Sequence, residues 1–225
     1  MQNKIKAIVN GIRTQYNKTN LCASIECMQN NINKLGAKLA KIGITANMVS
    51  VCGFVIGMLA VNCLANNAYG WALLLILINR LGDALDGAIA KIKGKTEFGM
   101  FLDVVLDYIF YAGVIFGFAL ANPVENALVA VFLLFSFTAS ACTMLAYGLV
   151  AYFRGAKISE VLNESPFYLG GWAQGAETIT ALLLLCLVPN WFVPVAMILG
   201  FWCLLKTLVI ISSAYYSFVV QSRGK

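Results

Sequence analysis

Apolar runs of about 20 residues, separated by short polar turns, fill most of the chain beyond residue 44. Six can be read, at roughly 45–66, 70–91, 97–121, 125–152, 171–189 and 192–218. A run of that length matches the hydrocarbon core of a bilayer, about 30 Å thick, at the helical rise of about 1.5 Å per residue. The pattern predicts an all-α integral membrane protein with six transmembrane helices over 45–220. Pro123, Pro166, Pro189 and Pro194 fall in or beside connections, where a missing backbone donor does least harm. Tyr69, Trp71, Trp172 and Trp191 sit near predicted span ends, as interfacial aromatics do.

Residues 1–44 follow a different rhythm. Ile25, Met28, Ile32, Leu35, Leu39 and Ile42 recur at alternating three- and four-residue steps, with Asn and Lys between them. That spacing predicts an amphipathic helix lying in the cytoplasmic interface. A coiled-coil seam is the competing reading, but the run is short and leads directly into a span. The first 20 residues have no continuous apolar core, so no signal peptide is expected.

Composition sharpens this picture. The chain is 60% hydrophobic and 12% charged, where soluble domains carry about a quarter charged residues. It contains no histidine, which excludes imidazole bases and imidazole metal ligands. The seven cysteines form no CxxC pair and read as small packing residues. Basic residues cluster before span 1, after span 2 (Lys91, Lys93, Lys95), after span 4 (Arg154, Lys157) and in the tail. The other three connections carry none. The positive-inside rule then puts both termini in the cytoplasm. The net charge of +6 is accounted for by topology and anionic lipid, leaving no reason to expect a nucleic-acid partner.

Against that apolar background stands "NRLGDALDGAIAKIKGKTEFGMFLDVVLDYIFY", residues 79–111. It holds all four aspartates of the chain: Asp83, Asp86, Asp103 and Asp107. An aspartate at a helix centre costs about 2.5–3.5 kcal/mol on insertion scales, so these must face something that stabilises them. Asp83 and Asp86 share one face of span 2, and Asp103 and Asp107 one face of span 3. The short turn between the spans makes them antiparallel and brings Asp86 and Asp103 level, roughly 10 Å from the turn. Four converging carboxylates cannot all stay ionised alone. Hard divalent cations relieve the repulsion, and oxygen donors suit Mg²⁺, Mn²⁺ or Ca²⁺. Two cations sharing carboxylates would fit an in-line phosphoryl displacement. Gly87 and Gly99 give close approach to a ligand or to a neighbouring helix. Lys91 is placed either to meet a phosphate or as an ordinary positive-inside lysine.

The pattern Asp83-x-x-Asp86-Gly87-x-x-Ala90-Lys91-x(7)-Gly99-x-x-x-Asp103-x-x-x-Asp107 resembles the signature of the CDP-alcohol phosphotransferase family. The family sequence is D-x-x-D-G-x-x-A-R, seven or eight residues, then G-x-x-x-D-x-x-x-D, and every specified position but one matches. Lys91 stands where the family has arginine. Arginine grips phosphate through a planar fork, whereas lysine is a point charge. Thr96, Phe98 and Leu102 look like the family's usual fillers. "ITANMVS", residues 44–50, is similar to its T-P-N entry into span 1, with Ala46 replacing proline and Asn47 in register. "FYLGGWAQGAETI", residues 167–179, resembles a bacterial subgroup of the family, which implies the bacterial inner membrane.

The resemblance implies transfer of a substituted phosphate from a CDP-linked donor, usually CDP-diacylglycerol, to an alcohol, with release of CMP. By that pattern two divalent cations, Mg²⁺ or Mn²⁺, would be held by Asp83, Asp86, Asp103 and Asp107. Asp107 would take the proton of the attacking hydroxyl. Gly87, Ala90, Lys91, Gly99, Thr96 and Asn47 would face the nucleotide. A homodimer in contact with membrane lipids is also implied. Other ionisable residues within the spans are Arg80, Glu177 and Lys206. Glu177 lies about 12 Å into span 5, level with the aspartates, which makes it the expected acceptor residue; the alternative is a structural pair with Arg80. Arg80 and Arg154 complete the expected acceptor group, and Lys206 is assigned no role.

Two other functions fit part of the pattern. A transporter also uses intramembrane carboxylates, but its two halves often repeat and there is no second acidic hairpin here. An inactive homologue has the Lys91 replacement as its support.

Overall fold

The computed structural model of the protein describes residues 20–154 and 178–220, and every regular element among them is helical. In order these are α1 (Asn20–Lys41), α2 (Ala46–Ala65), α3 (Tyr69–Lys93), α4 (Glu97–Ala121), α5 (Pro123–Phe153), α6 (Thr178–Leu187) and α7 (Phe192–Tyr215). A 3₁₀ turn at Pro189–Trp191 precedes α7 and a π turn at Tyr216–Val220 follows it.

Four segments are long and apolar enough to cross a membrane: Ala46–Ala65, Glu97–Ala121, Pro123–Phe153 and Pro189–Val219. They match the expected spans 1, 3, 4 and 6. Expected span 2 is α3, a helix of 25 residues whose apolar run is interrupted by Arg80, Asp83 and Asp86. Expected span 5 lies partly outside the described residues; its described part, α6, is a short apolar helix.

Local chemistry sets the helix boundaries. Thr45 and Thr96 are N-caps: Thr45 Oγ1 accepts from Met48 N at 3.3 Å and Thr96 Oγ1 from Gly99 N at 3.0 Å. α1 stops at Gly43, whose φ of 97° is open to glycine. Gly43 N donates to Ala40 O and Ile44 N to Leu39 O, both at 3.2 Å, the paired bonds of a Schellman motif. Asn67, at φ 59°, ends α2 in the same way, with bonds from Asn67 N to Leu64 O and from Ala68 N to Cys63 O.

The chain divides into two compact units, Met1–Phe54 with Ile78–Leu106, and Val55–Leu77 with Asp107–Lys225. In the first, α1 packs on α3 at Gly36, where a β-carbon would lie 2.8 Å from Ala88 Cβ. α2 crosses α3 at Gly53 and Gly82, close enough that a β-carbon on either would lie within 4 Å of the other's Cα. These contacts without intervening side chains are the usual means of holding helices together in lipid. On α1, Met28 and Leu35 are exposed, as are Lys34, Lys38 and Lys41, and so is Ile42 just beyond its end.

In the second unit Gly117 of α4 fits against Val61 and Leu64 of α2, with Leu64 Cβ 3.0 Å from where a β-carbon would be. Phe118 stacks on Phe192 at 5.0 Å between ring centres. Asn126 Nδ2 donates to Phe118 O at 2.9 Å. Along α5 and α7, Phe132 meets Gly200 and Phe201. Further on, Tyr147 packs with Ile210 and Phe218. The contacts advance in the same direction on both helices, so α5 and α7 run parallel.

Candidate active site

The site is built within the first unit, from one face each of α2, α3 and α4. Asp83, Asp86 and Asp103 each present an oxygen within 4.8 Å of the others. The antiparallel hairpin thus brings together three of the four aspartates in the way the sequence pattern requires. Asp107, one helical turn beyond Asp103 on α4, is counted with the second unit.

Each aspartate of the α3 pair has a partner that shapes it. Asp86 is 8% exposed, and its Oδ2 accepts from Ser50 Oγ at 2.6 Å. Ser50 Oγ also lies 3.1 Å from Ala46 O. A hydroxyl has one proton, and the shorter contact, to a carboxylate, is the charge-assisted bond. Asp83 Oδ2 lies 3.6 Å from Arg80 Nη1.

Beside the cluster is a cavity of about 380 Å³. Asp86, Gly87 and Ala90 of α3 line one wall, and Thr96, Gly99 and Asp103 line another. Thr45, Asn47 and Ser50, at the start of α2, line a third. Seven of the expected site residues therefore come together: Asn47, Asp86, Gly87, Ala90, Thr96, Gly99 and Asp103. The glycines differ in what they do. Nothing lies within 4 Å of a β-carbon at Gly87, so its missing side chain leaves open space in the cavity. A β-carbon at Gly99 would lie 2.8 Å from Thr96 Oγ1 and 3.0 Å from Asn47 Oδ1, so this glycine lets the α4 cap and the α2 asparagine close on each other.

Lys91 is exposed and does not line the cavity. Lys93 and Lys95 do. Two positions on a helix turn the side chain by roughly 200°, so Lys91 and Lys93 cannot share a face. Lys93 Nζ donates to Ile44 O at 2.8 Å, tying the end of α3 to the α1–α2 turn. Gly94, at φ 95°, then ends α3 and leads to Lys95.

Of the residues expected to serve an acceptor, Arg80 is held in the first unit by Asp83 and Asn79. Arg154, in the second, donates to Phe218 O at 3.0 Å and stacks over the Phe218 ring at 4.8 Å. Glu177 lies outside the described residues. Lys206 is 9% exposed, with Nζ 5.5 Å from the Trp202 ring centre.

Sequence reasoning passed over Ser50, Lys93, Lys95 and Asn79. Ser50 was visible as the residue three beyond Asn47, on one helix face with it. Nothing in the sequence set Lys93 above Lys91.

Four apolar segments of membrane-crossing length, with three convergent carboxylates beside a cavity, define a multi-pass membrane protein with an acidic site. The family model described as CDP-alcohol phosphatidyltransferase matches residues 43–209, and the chain belongs to that family. It is 43% identical over 177 residues to the inner membrane protein YnjF of Escherichia coli (strain K12), covering 79% of this chain and 86% of that one. It is 36% identical over 95 residues to archaetidylinositol phosphate synthase of Pyrococcus horikoshii, covering 42% of this chain and 50% of that one. No solved structure matches.

Proposed function

We propose that this protein transfers a substituted phosphate, most simply phosphatidyl, from a CDP-linked donor such as CDP-diacylglycerol to an alcohol, releasing CMP. The observation that carries this reading is the convergence of Asp83, Asp86 and Asp103 beside a cavity walled by Gly87, Ala90 and Gly99 of the same signature.

The donor set fits divalent cations. Three carboxylates offer hard oxygen ligands within 4.8 Å of one another, and a bound Mg²⁺ would draw them to within about 4.2 Å, twice its bond length. Asp83, Asp86 and Asp103 would hold Mg²⁺ or Mn²⁺, with Asp107 joining them for a second ion. When bound, the ions supply Lewis-acid stabilisation of charge on the phosphoryl oxygens.

The protein's own groups do the rest. Asp107 accepts the proton of the acceptor hydroxyl. The hydroxyl oxygen forms the new bond to phosphorus as the bond from phosphorus to the CMP oxygen breaks. Asn47, Gly87, Ala90, Thr96 and Gly99 wall the cytidine diphosphate, and Gly87 leaves room for it. α2 and α4 both begin at the cavity, and unpaired N–H groups at helix starts favour an anion. Lys93 and Lys95 add positive charge from the cavity wall, with Lys91 outside it at the same level of α3. Glu177, Arg80 and Arg154 are the candidates for orienting the acceptor.

Six spans over 45–220, with 1–44 as an interfacial segment, fit this activity. The parallel run of α5 and α7 supports the fifth crossing. Phe132 to Arg154 covers about 33 Å at 1.5 Å per residue, and the chain must return over that distance before α7 begins. The basic connections put both termini and the site on the cytoplasmic face, and the exposed apolar flank of α1 suits the lipid surface. A homodimer in a bacterial inner membrane completes the reading. The test is incubation of the purified protein with CDP-diacylglycerol, Mn²⁺ or Mg²⁺ and a panel of alcohols, measuring CMP. No CMP with any alcohol overturns the transferase reading.

A further inference from the structure

Asn79 and Arg80 sit one turn before Asp83 on α3, outside the signature, yet they form a chain of contacts that ends on its carboxylate. It starts on α2. Asn79 is 5% exposed, and its Nδ2 donates to Gly53 O at 2.8 Å. Gly53 and Gly82 make this possible, because neither carries a side chain to hold α2 and α3 apart at the crossing. The bond fixes which way the Asn79 amide points, with its nitrogen to α2 and its oxygen away from it. Arg80 Nε and Nη2 both donate to that oxygen, at 2.9 and 2.6 Å. This grip on two nitrogens sets the guanidinium plane. The third nitrogen, Nη1, then lies 3.6 Å from Asp83 Oδ2. The Arg80 side chain is 12% exposed and that of Asp83 39%, so the positive group is the more deeply set.

We infer that Asn79 and Arg80 are positioning residues for the cation site: they hold Asp83 in the rotamer that presents its carboxylate to Asp86 and Asp103. This rests on the metal reading above and assigns Arg80 to the cluster instead of the acceptor. The physical need is plain. A lone carboxylate beside two others turns away to reduce repulsion unless something holds it. A guanidinium fixed by its own fork supplies both the opposite charge and the direction. The contact from Arg80 Nη1 reaches Asp83 Oδ2, on the residue that also presents a ligand oxygen to the cluster. Groups that orient metal ligands from behind are typically worth about 10–100-fold in metal affinity.

Two variants keep the positive charge and remove the geometry. Arg80→Lys replaces the fork by a point charge. Asn79→Leu leaves Arg80 but removes its anchor. Mn²⁺ affinity of the full-length protein in detergent is read from the loss of the free-ion electron paramagnetic resonance signal, with no donor or acceptor present. Each variant is expected to weaken Mn²⁺ by roughly tenfold. The double variant is expected to weaken it little more than either alone, because both cut one chain. The melting temperature without Mn²⁺ checks folding, and Asn79→Ser replaces Asn79→Leu if the latter does not fold. Unchanged Mn²⁺ affinity in both single variants overturns the inference. So does an unchanged affinity for Arg80→Lys with a raised acceptor KM, which returns Arg80 to the acceptor. A wild-type protein that binds no Mn²⁺ overturns the cation site and this inference with it. One that binds Mn²⁺ without releasing CMP overturns the transferase reading and leaves the variants to decide this one.

Discussion

Ser50 Oγ donates a 2.6 Å hydrogen bond to Asp86 Oδ2, joining the first turns of α2 to a nearly buried signature carboxylate of α3. A hydrogen bond to a charged group contributes about 1.5–3 kcal/mol. Ser50→Ala removes this donor from Asp86. We expect kcat/KM for CMP release to fall by about tenfold or more and Mn²⁺ binding to weaken, both measured on purified protein.

Gly99 is the position where added bulk meets the site directly. A β-carbon there would press on both Thr96 Oγ1 and Asn47 Oδ1. Thr96 would lose its capping bond to Gly99 N, at a cost of about 1 kcal/mol, and Asn47 would be pushed from the cavity wall. Gly99→Ala is expected to lower the melting temperature and raise the donor KM. A thermal melt together with donor titration checks both effects.

Clustered carboxylates that depend on a divalent cation leave a simple signature. Excess EDTA is expected to abolish CMP release, and added Mn²⁺ or Mg²⁺ to restore it, because the ions offset the repulsion within the cluster. CMP release that persists unchanged in EDTA removes the metal from the reaction.

Asp107→Asn keeps the size of the side chain and removes its basicity. Loss of a positioned base costs roughly 10²–10⁴-fold in rate. We expect kcat to fall by that order with donor KM within a few-fold of wild type. Turnover near the wild-type rate removes Asp107 from the base role.

The signature assigns the donor-facing cation to Lys91, whereas the cavity lining contains Lys93. Lys91→Ala and Lys93→Ala are both expected to raise the donor KM, Lys93→Ala by more, since a charge aimed at a phosphate is worth more than a solvated one. Lys91→Arg is expected to preserve or improve it. Equal donor KM in Lys93→Ala and wild type demotes Lys93 to its tie with Ile44.

Helix positions and the candidate chemistry were legible along the chain. The hydrophobic runs anticipated α2, α3, α4, α5 and α7 to within a few residues. The spacing of Asp83, Asp86 and Asp103 on an antiparallel hairpin anticipated their convergence. Both depend on periodicity within a helix and on a short turn, which are properties of neighbouring residues. The rotation of one helix against another was not legible, since it is set where side chains are absent, at Gly53, Gly82 and Gly36. That rotation turns Ser50 toward Asp86, lets Asn79 reach Gly53 O and so aims Arg80 at Asp83. It also puts Lys93 on the cavity wall with Lys91 outside. Residue type and spacing along the chain pick out the groups able to hold a cation. Which partners hold those groups in turn follows from the packing, because hydrogen bonds between helices depend on close approach, and close approach is a property of the packed whole.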